Sequence, residues 1–218
     1  MTKIKICGIT TLNAALAAID AGADLLGFNF YPGSPRFVEI DRCQEITAVL
    51  RRNYPQITLV GVFVNRSMGE IRTLLELCQL HLAQLHGDET PEMLAALGEC
   101  AFKAIRLSDS SVRKFENRSV FIRETANQSV SRPALLVDST VKGLYGGSGV
   151  VADWSIAAQL AQQLPILLAG GLTPENVAEA VRQVRPWGVD VASGVESSPG
   201  VKDPVKMKAF AKAVIDNR

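Results

Sequence analysis

Several chemically capable residues in this chain stand at the ends of short apolar runs. Cys7 closes Ile4-Lys5-Ile6-Cys7, just before Gly8. Asp138 closes Leu135-Leu136-Val137-Asp138. Arg36 ends the stiff segment Pro32-Gly33-Ser34-Pro35-Arg36. A guanidinium held in place suits a carboxylate, which it grips through two parallel N–H donors. Gly170 and Gly171 follow Ile166–Ala169, while Asp190, Ser193 and Gly194 lie on or after Val189–Ala192. Such loops let a ligand reach backbone N–H groups, which is the chemistry of a phosphate site. Each glycine pair alone could be a tight turn; two such loops behind the last two runs favour phosphate. Other roles stay open. Cys7 also fits a small buried hydrophobe and Asp138 a turn cap; His86 could be an active-site group of the fourth loop, but fits an ordinary hydrogen-bonded histidine better.

The elements that position these residues follow from periodicity. Leu12, Ala15, Leu16 and Ile19 repeat at helical spacing, and Gly22 fits the stop. Strand-like runs are expected at 4–7, 25–30, 57–64, 81–86, 102–105, 134–137, 166–169 and 189–192, with helices at 40–50 and 155–163. Ser67 and Glu70 form a capping box. Thr90-Pro91, Thr173-Pro174 and Asp203-Pro204 each place an N-cap residue before a proline at the first helical position. The runs read as apolar throughout, as in a parallel sheet covered on both faces. Eight units in 218 residues average about 27 residues each, a workable βα repeat. The expected fold is α/β, a single (β/α)8 TIM barrel over residues 1–218. A doubly wound open sheet is the alternative. Asn117 to Arg132 reads as an irregular or partly helical connection before the sixth strand.

Composition narrows the function classes. Lys+Arg 23 against Asp+Glu 22 gives a net charge of +1, without the basic excess of a protein that grips nucleic acid or an anionic membrane by bulk charge. No apolar run approaches the ~20 residues of a membrane span. Nothing after Met1 resembles a secretory leader, so a cytoplasmic location with reduced thiols is expected. Four cysteines without a CxxC pair, and two histidines, do not suggest a structural zinc site. Cys43, Cys78 and Cys100 read as packing residues.

Taken in order, the motifs resemble the phosphoribosylanthranilate isomerase family. They are Lys5-Ile6-Cys7-Gly8-Ile9-Thr10, Gly27-Phe28-Asn29-Phe30-Tyr31-Pro32-Gly33-Ser34-Pro35-Arg36, Val60-Gly61-Val62-Phe63-Val64-Asn65 and Gln84-Leu85-His86-Gly87-Asp88-Glu89. Later come Leu136-Val137-Asp138, Tyr145-Gly146-Gly147-Ser148-Gly149, Asp153-Trp154, Gly170-Gly171-Leu172-Thr173-Pro174-Glu175-Asn176-Val177 and Val189-Asp190-Val191-Ala192-Ser193-Gly194-Val195-Glu196, with Pro199-Gly200-Val201-Lys202-Asp203 behind it. The resemblance implies an Amadori rearrangement of N-(5-phosphoribosyl)anthranilate without cofactor or metal. It implies Cys7 as general base and Asp138 as general acid. It assigns Arg36 to the substrate carboxylate and Gly170, Gly171, Ser193 and Gly194 to phosphate, with Asp190 among the substrate-binding residues. The expected partner is a small phosphosugar rather than nucleic acid or membrane, and the chain would be a monomer or homodimer. Val150-Val151-Ala152 depart from the family pattern, which has polar or basic and aromatic residues there. A two-aspartate phosphosugar isomerase on the same barrel fits less well, because the first run ends in Cys7. A metal-dependent epimerase would need more histidines. A phosphosugar-binding protein without catalysis is the rival from another class.

Overall fold

Eight parallel strands pair in chain order, and the last pairs with the first. They are β1 (Lys3–Cys7), β2 (Leu25–Asn29), β3 (Thr58–Phe63), β4 (Leu82–Leu85), β5 (Ala101–Arg106), β6 (Leu135–Asp138), β7 (Ile166–Ala169) and β8 (Gly188–Val191). Ile4↔Val189 and Cys7↔Gly27 fix the register on the two sides of β1. The closed barrel excludes the open doubly wound sheet. The computed structural model describes residues 1–107, 132–139 and 154–217. The glycine run 146–149, the Val150-Val151-Ala152 departure, Asp153 and the connection 117–131 lie outside the described residues.

Helices α1 (Leu12–Ala21), α2 (Ile40–Asn53), α3 (Met68–Leu77), α4 (Pro91–Leu97), α5 (Ser155–Ala161), α6 (Val177–Val184) and α7 (Pro204–Ile215) are described. Their ends follow local chemistry. Gly22 takes the left-handed conformation after α1. Ser67 and Glu70 complete the capping box of α3, and the Ser67 contacts hold the Glu70 carboxyl down at about 2. Thr90 and Asp203 cap α4 and α7 ahead of Pro91 and Pro204.

Thr173-Pro174 does not begin a helix; α6 starts three residues later, at Val177. The Asn176 side chain accepts from Thr173 N at 2.8 Å and donates to Gly171 O at 2.9 Å. Such side-chain bonds offer the backbone an alternative to helix, and here they clasp the loop after β7. Cys43 and Cys78 are buried, but Cys100 is exposed in the turn before β5, so it is not a packing residue. Among the described residues no helix is long and apolar enough to cross a membrane.

Two apolar layers hold the fold. Outside the barrel, Ile4, Ile6 and their neighbours meet the helices; inside, Leu25, Val60, Leu82, Phe102, Leu136 and Leu167 fill the lumen. Fully burying a side chain of this kind stabilises by roughly 1.5–3 kcal/mol. The expectation of uniformly apolar strands fails on the inner face. On β1, Ile4 and Ile6 pack outward, while Lys5 pairs inside the barrel with Asp190, its register partner on the adjacent strand β8. Towards the C-terminal strand ends the lumen becomes polar, and Cys7, Gln84, Asp138 and Asp190 line its opening. A short antiparallel pair, β9 (Glu196–Ser198) and β10 (Val201–Lys202), follows β8 and closes one side of that end.

Candidate active site

The C-terminal strand ends surround a cavity of about 550 Å³, within the size range of small-molecule sites. Cys7, Arg36, Asp138, Gly170, Gly171, Asp190 and Ser193 all line it. These residues come from five different strand ends, so only barrel closure brings them together. Gly194 is not part of the lining. It packs so closely on the Leu172 carbonyl that a Cβ would not fit, and this seats the loop after β8 on the loop after β7.

Cys7 projects inward opposite Gly27, its partner on β2. A Cβ on Gly27 would stand 2.7 Å from the Cys7 sulfur, so the glycine makes room for the thiol. Burial pushes the Cys7 thiol above its ordinary value, and nearby Asp190 adds to this; Lys5 and Lys202 pull the other way. Two residues earlier on the same face, Lys5 is fully buried and its Nζ donates to Asp190 Oδ1 at 2.8 Å. Burial lowers the Lys5 pKa, but Asp190 and Cys7 together more than reverse this and leave it raised.

The other wall is a denser charge cluster. Arg36 Nε and Nη2 donate to the two Glu196 oxygens, each at 2.7 Å. Lys202 Nζ donates to Glu196 Oε1 at 2.7 Å and to Ala192 O at 3.0 Å. Burial raises the Glu196 carboxyl, but Arg36 and Lys202 outweigh it and hold the group below its usual value. The expected bidentate carboxylate on Arg36 is therefore internal. Two of the five N–H donors of the guanidinium are engaged by Glu196, and a ligand carboxylate would meet the remaining edge.

Gly170 and Gly171 both have positive φ, +97° and +64°, a region that side chains strain to adopt. They turn the chain sharply at the end of β7. Ser139 after β6 ties this turn down through N and Oγ, both donating to Ala169 O at 2.9 Å. With Ser193, the turn presents a rim of backbone and hydroxyl groups to the cavity. His86 also lines the cavity, its Nδ1 2.8 Å from Gln84 Nε2. It is hydrogen-bonded as expected, but it also faces Asp190 and Asp138. Burial lowers its pKa, and these carboxylates only partly oppose that.

Sequence reasoning missed Lys5, Glu196 and Lys202 as site residues. A signal existed for Lys5, since period-2 alternation puts it on the same strand face as Cys7. Glu196 stood only as the last residue of a quoted motif, and the meeting of Arg36 and Lys202 on its carboxylate is tertiary.

A closed barrel with titratable side chains and a glycine-lined rim at the C-terminal strand ends has the architecture of the (β/α)8-barrel enzymes. Residues 4–213 match the family model described as N-(5'phosphoribosyl)anthranilate (PRA) isomerase. A relative from Roseiflexus sp. (strain RS-1), named N-(5'-phosphoribosyl)anthranilate isomerase, is 47% identical, with 98% of this chain and 97% of the relative covered. The crystal structure of the Thermotoga maritima phosphoribosyl anthranilate isomerase superposes with a TM-score of 0.84 at 36% identity, covering 99% of this chain and 100% of that one. A phosphoribosyl anthranilate isomerase solved in complex with reduced 1-(o-carboxyphenylamino)-1-deoxyribulose 5-phosphate superposes with a TM-score of 0.81 at 34% identity, with 99% and 100% covered. The chain belongs to the N-(5'-phosphoribosyl)anthranilate isomerase family.

Proposed function

We propose that this chain converts N-(5-phosphoribosyl)anthranilate to 1-(2-carboxyphenylamino)-1-deoxyribulose 5-phosphate, the isomerase step of tryptophan biosynthesis, with Cys7 as base and Asp138 as acid. The observation that carries this reading is that Cys7 and Asp138 line one cavity from β1 and β6, with only β7, β8 and their glycine loops between them. A phosphate on those loops would lay the sugar across the barrel mouth between the two groups.

The chemistry then balances with two proton transfers that open and deprotonate the sugar and two more in the closing tautomerisation, C2–OH losing a proton and C1 gaining one, which return Asp138 and Cys7 to their starting forms. Asp138 gives its proton to the ribose ring oxygen; the C1–O bond breaks and the anilino nitrogen closes a protonated Schiff base. The Cys7 thiolate takes the proton from C2; the C–H electron pair becomes the C1=C2 bond and the C1=N π pair returns to the nitrogen, giving an enolamine. Tautomerisation to the ketone completes the isomerisation, with no oxidant or reductant required. The free edge of Arg36 would hold the anthranilate carboxylate. Gly170, Gly171, Ser193 and Gly194 would hold the phosphate, and Asp190 would face the sugar. We read the chain as one domain, a monomer or homodimer acting in the cytoplasm without cofactor.

The test uses phosphoribosylanthranilate made in situ from anthranilate and phosphoribosyl pyrophosphate, followed by its fluorescence. Wild type should clear the signal faster than spontaneous hydrolysis. Cys7→Ala and Asp138→Asn should each lower kcat by at least ~10², the low end of acid–base contributions. Near-normal turnover in either variant removes that residue from the mechanism.

A further inference from the structure

A lysine fills a place in the barrel lumen where branched aliphatic side chains are usual. Lys5 has no exposed surface, and its neighbours in the inner layer include Leu25, its register partner on β2. A buried ammonium is costly even when paired, and replacing such a pair by apolar residues is often neutral or stabilising. Packing therefore does not account for Lys5. Its surroundings point elsewhere. One of its three N–H donors goes to Asp190, and its side chain lies on the same strand face as Cys7, one inward position below.

We propose that the Lys5–Asp190 pair sets the ionisation of Cys7, with Lys5 as the positioning cation for the thiolate and Asp190 as the competing carboxylate that restrains it. The proposal rests on the reading of Cys7 as the base. The charged groups facing Cys7 are Lys5 of β1, Asp190 of β8, Lys202 of β10 and Arg36 of the loop after β2. Lys202 and Arg36 both share Glu196. Lys5 has only Asp190 as a counter-charge among the described residues, so of these cations it is the one least committed elsewhere. When the thiolate forms, the ammonium stands between two anions, Cys7 and Asp190. When Cys7 takes up the C2 proton, Asp190 alone remains. The charge on Lys5 thus favours the ionised base before the step without having to move during it.

The pair makes opposite predictions for its two members, which a merely structural role does not. Unliganded enzyme would be alkylated with iodoacetamide across a pH series, and Cys7 modification followed by peptide mass spectrometry. This separates it from Cys43, Cys78 and Cys100 and requires no turnover. Lys5→Met should move the alkylation midpoint to higher pH, slowing Cys7 modification at pH 7 by about tenfold or more. Asp190→Asn should move it to lower pH, with faster modification at pH 7. In the turnover assay Lys5→Met should lose kcat at pH 7 and regain part of it at higher pH. Shifts in the same direction, or no shift in either variant, would overturn the proposal. If Lys5→Met does not fold, the downward shift in Asp190→Asn decides the matter alone. If the two shifts appear as expected but Cys7→Ala still turns over, the electrostatic coupling stands and the assignment of Cys7 as base is what fails.

Discussion

Two charge clusters border the same cavity and are built differently. At the floor, Lys5 and Asp190 form a single pair at 2.8 Å, with Lys5 completely buried. At the wall, Arg36 and Lys202 both bind Glu196, through three contacts of 2.7 Å. The wall cluster has its carboxylate fully engaged, and Lys202 is further tied to the Ala192 carbonyl. It locks the loops after β2 and β8 together, across the chain distance from Arg36 to Glu196. The floor pair sets its ammonium between one carboxylate and a thiol. Burying charge therefore serves two ends here: fixing loops where every group is matched, and setting a field where one group is not.

Breaking the wall should give the largest effect. Glu196→Ala leaves Lys202 buried and Arg36 half-buried with no carboxylate, and losing one partner of a buried pair typically costs ~3–5 kcal/mol. Urea unfolding should show this as a lower midpoint, and under the proposed role of Arg36 the substrate should also bind more weakly. An unchanged midpoint would mean that the cluster is not a lock.

The space reserved for the thiol comes next. Gly27→Ala places a methyl group against the Cys7 sulfur, and overpacking of this kind costs about 1–3 kcal/mol. The expected signature is a fall in kcat larger than any change in KM, since the displaced group is the proposed base rather than a proposed binding residue.

The clusters should also fail at opposite ends of the pH scale. Glu196 has a folded pKa below its unfolded value. Its contribution to stability is complete above the unfolded value of ~4.3 and is lost as pH falls through the lower folded value. Lys5 has a folded pKa above its unfolded value. Its contribution is complete below ~10.4 and is lost as pH rises through the higher folded value. Denaturant titrations at acid and alkaline pH should show the acid slope flattened in Glu196→Gln and the alkaline slope flattened in Lys5→Met. The reverse pattern would invert the comparison.

The smallest effect belongs to an exposed pair. Arg42 and Glu45 meet at 2.8 Å on the surface of α2 with half or more of each side chain in water. Arg42→Ala should change stability by no more than ~0.5 kcal/mol. A larger loss would show that contact distance rather than burial governs these pairs.

Much of the molecule was legible in the chain. Periodicity located all eight barrel strands to within a residue or two, because their outward faces bury Ile, Leu and Val against helices. The caps at Thr90 and Asp203 were readable because N-cap and N1 chemistry is local. The Thr173 helix start was misplaced because Asn176 bonds back to Thr173 and Gly171, a competition between two local motifs that sequence does not rank. For the site, chain position picked out Cys7, Arg36, Asp138, Gly170, Gly171, Asp190 and Ser193 as strand-end or loop residues, and the cavity gathers them.

What the sequence could determine by itself was which side chains stand at strand ends, since strand period and turn residues act over a few positions. Which of those side chains face one another was decided by the closed register of the barrel. Glu196 sits 160 positions from Arg36, and Asp190 sits 185 from Lys5. Electrostatic partners at that separation are chosen by barrel closure, through distances of a few ångströms that no local pattern encodes.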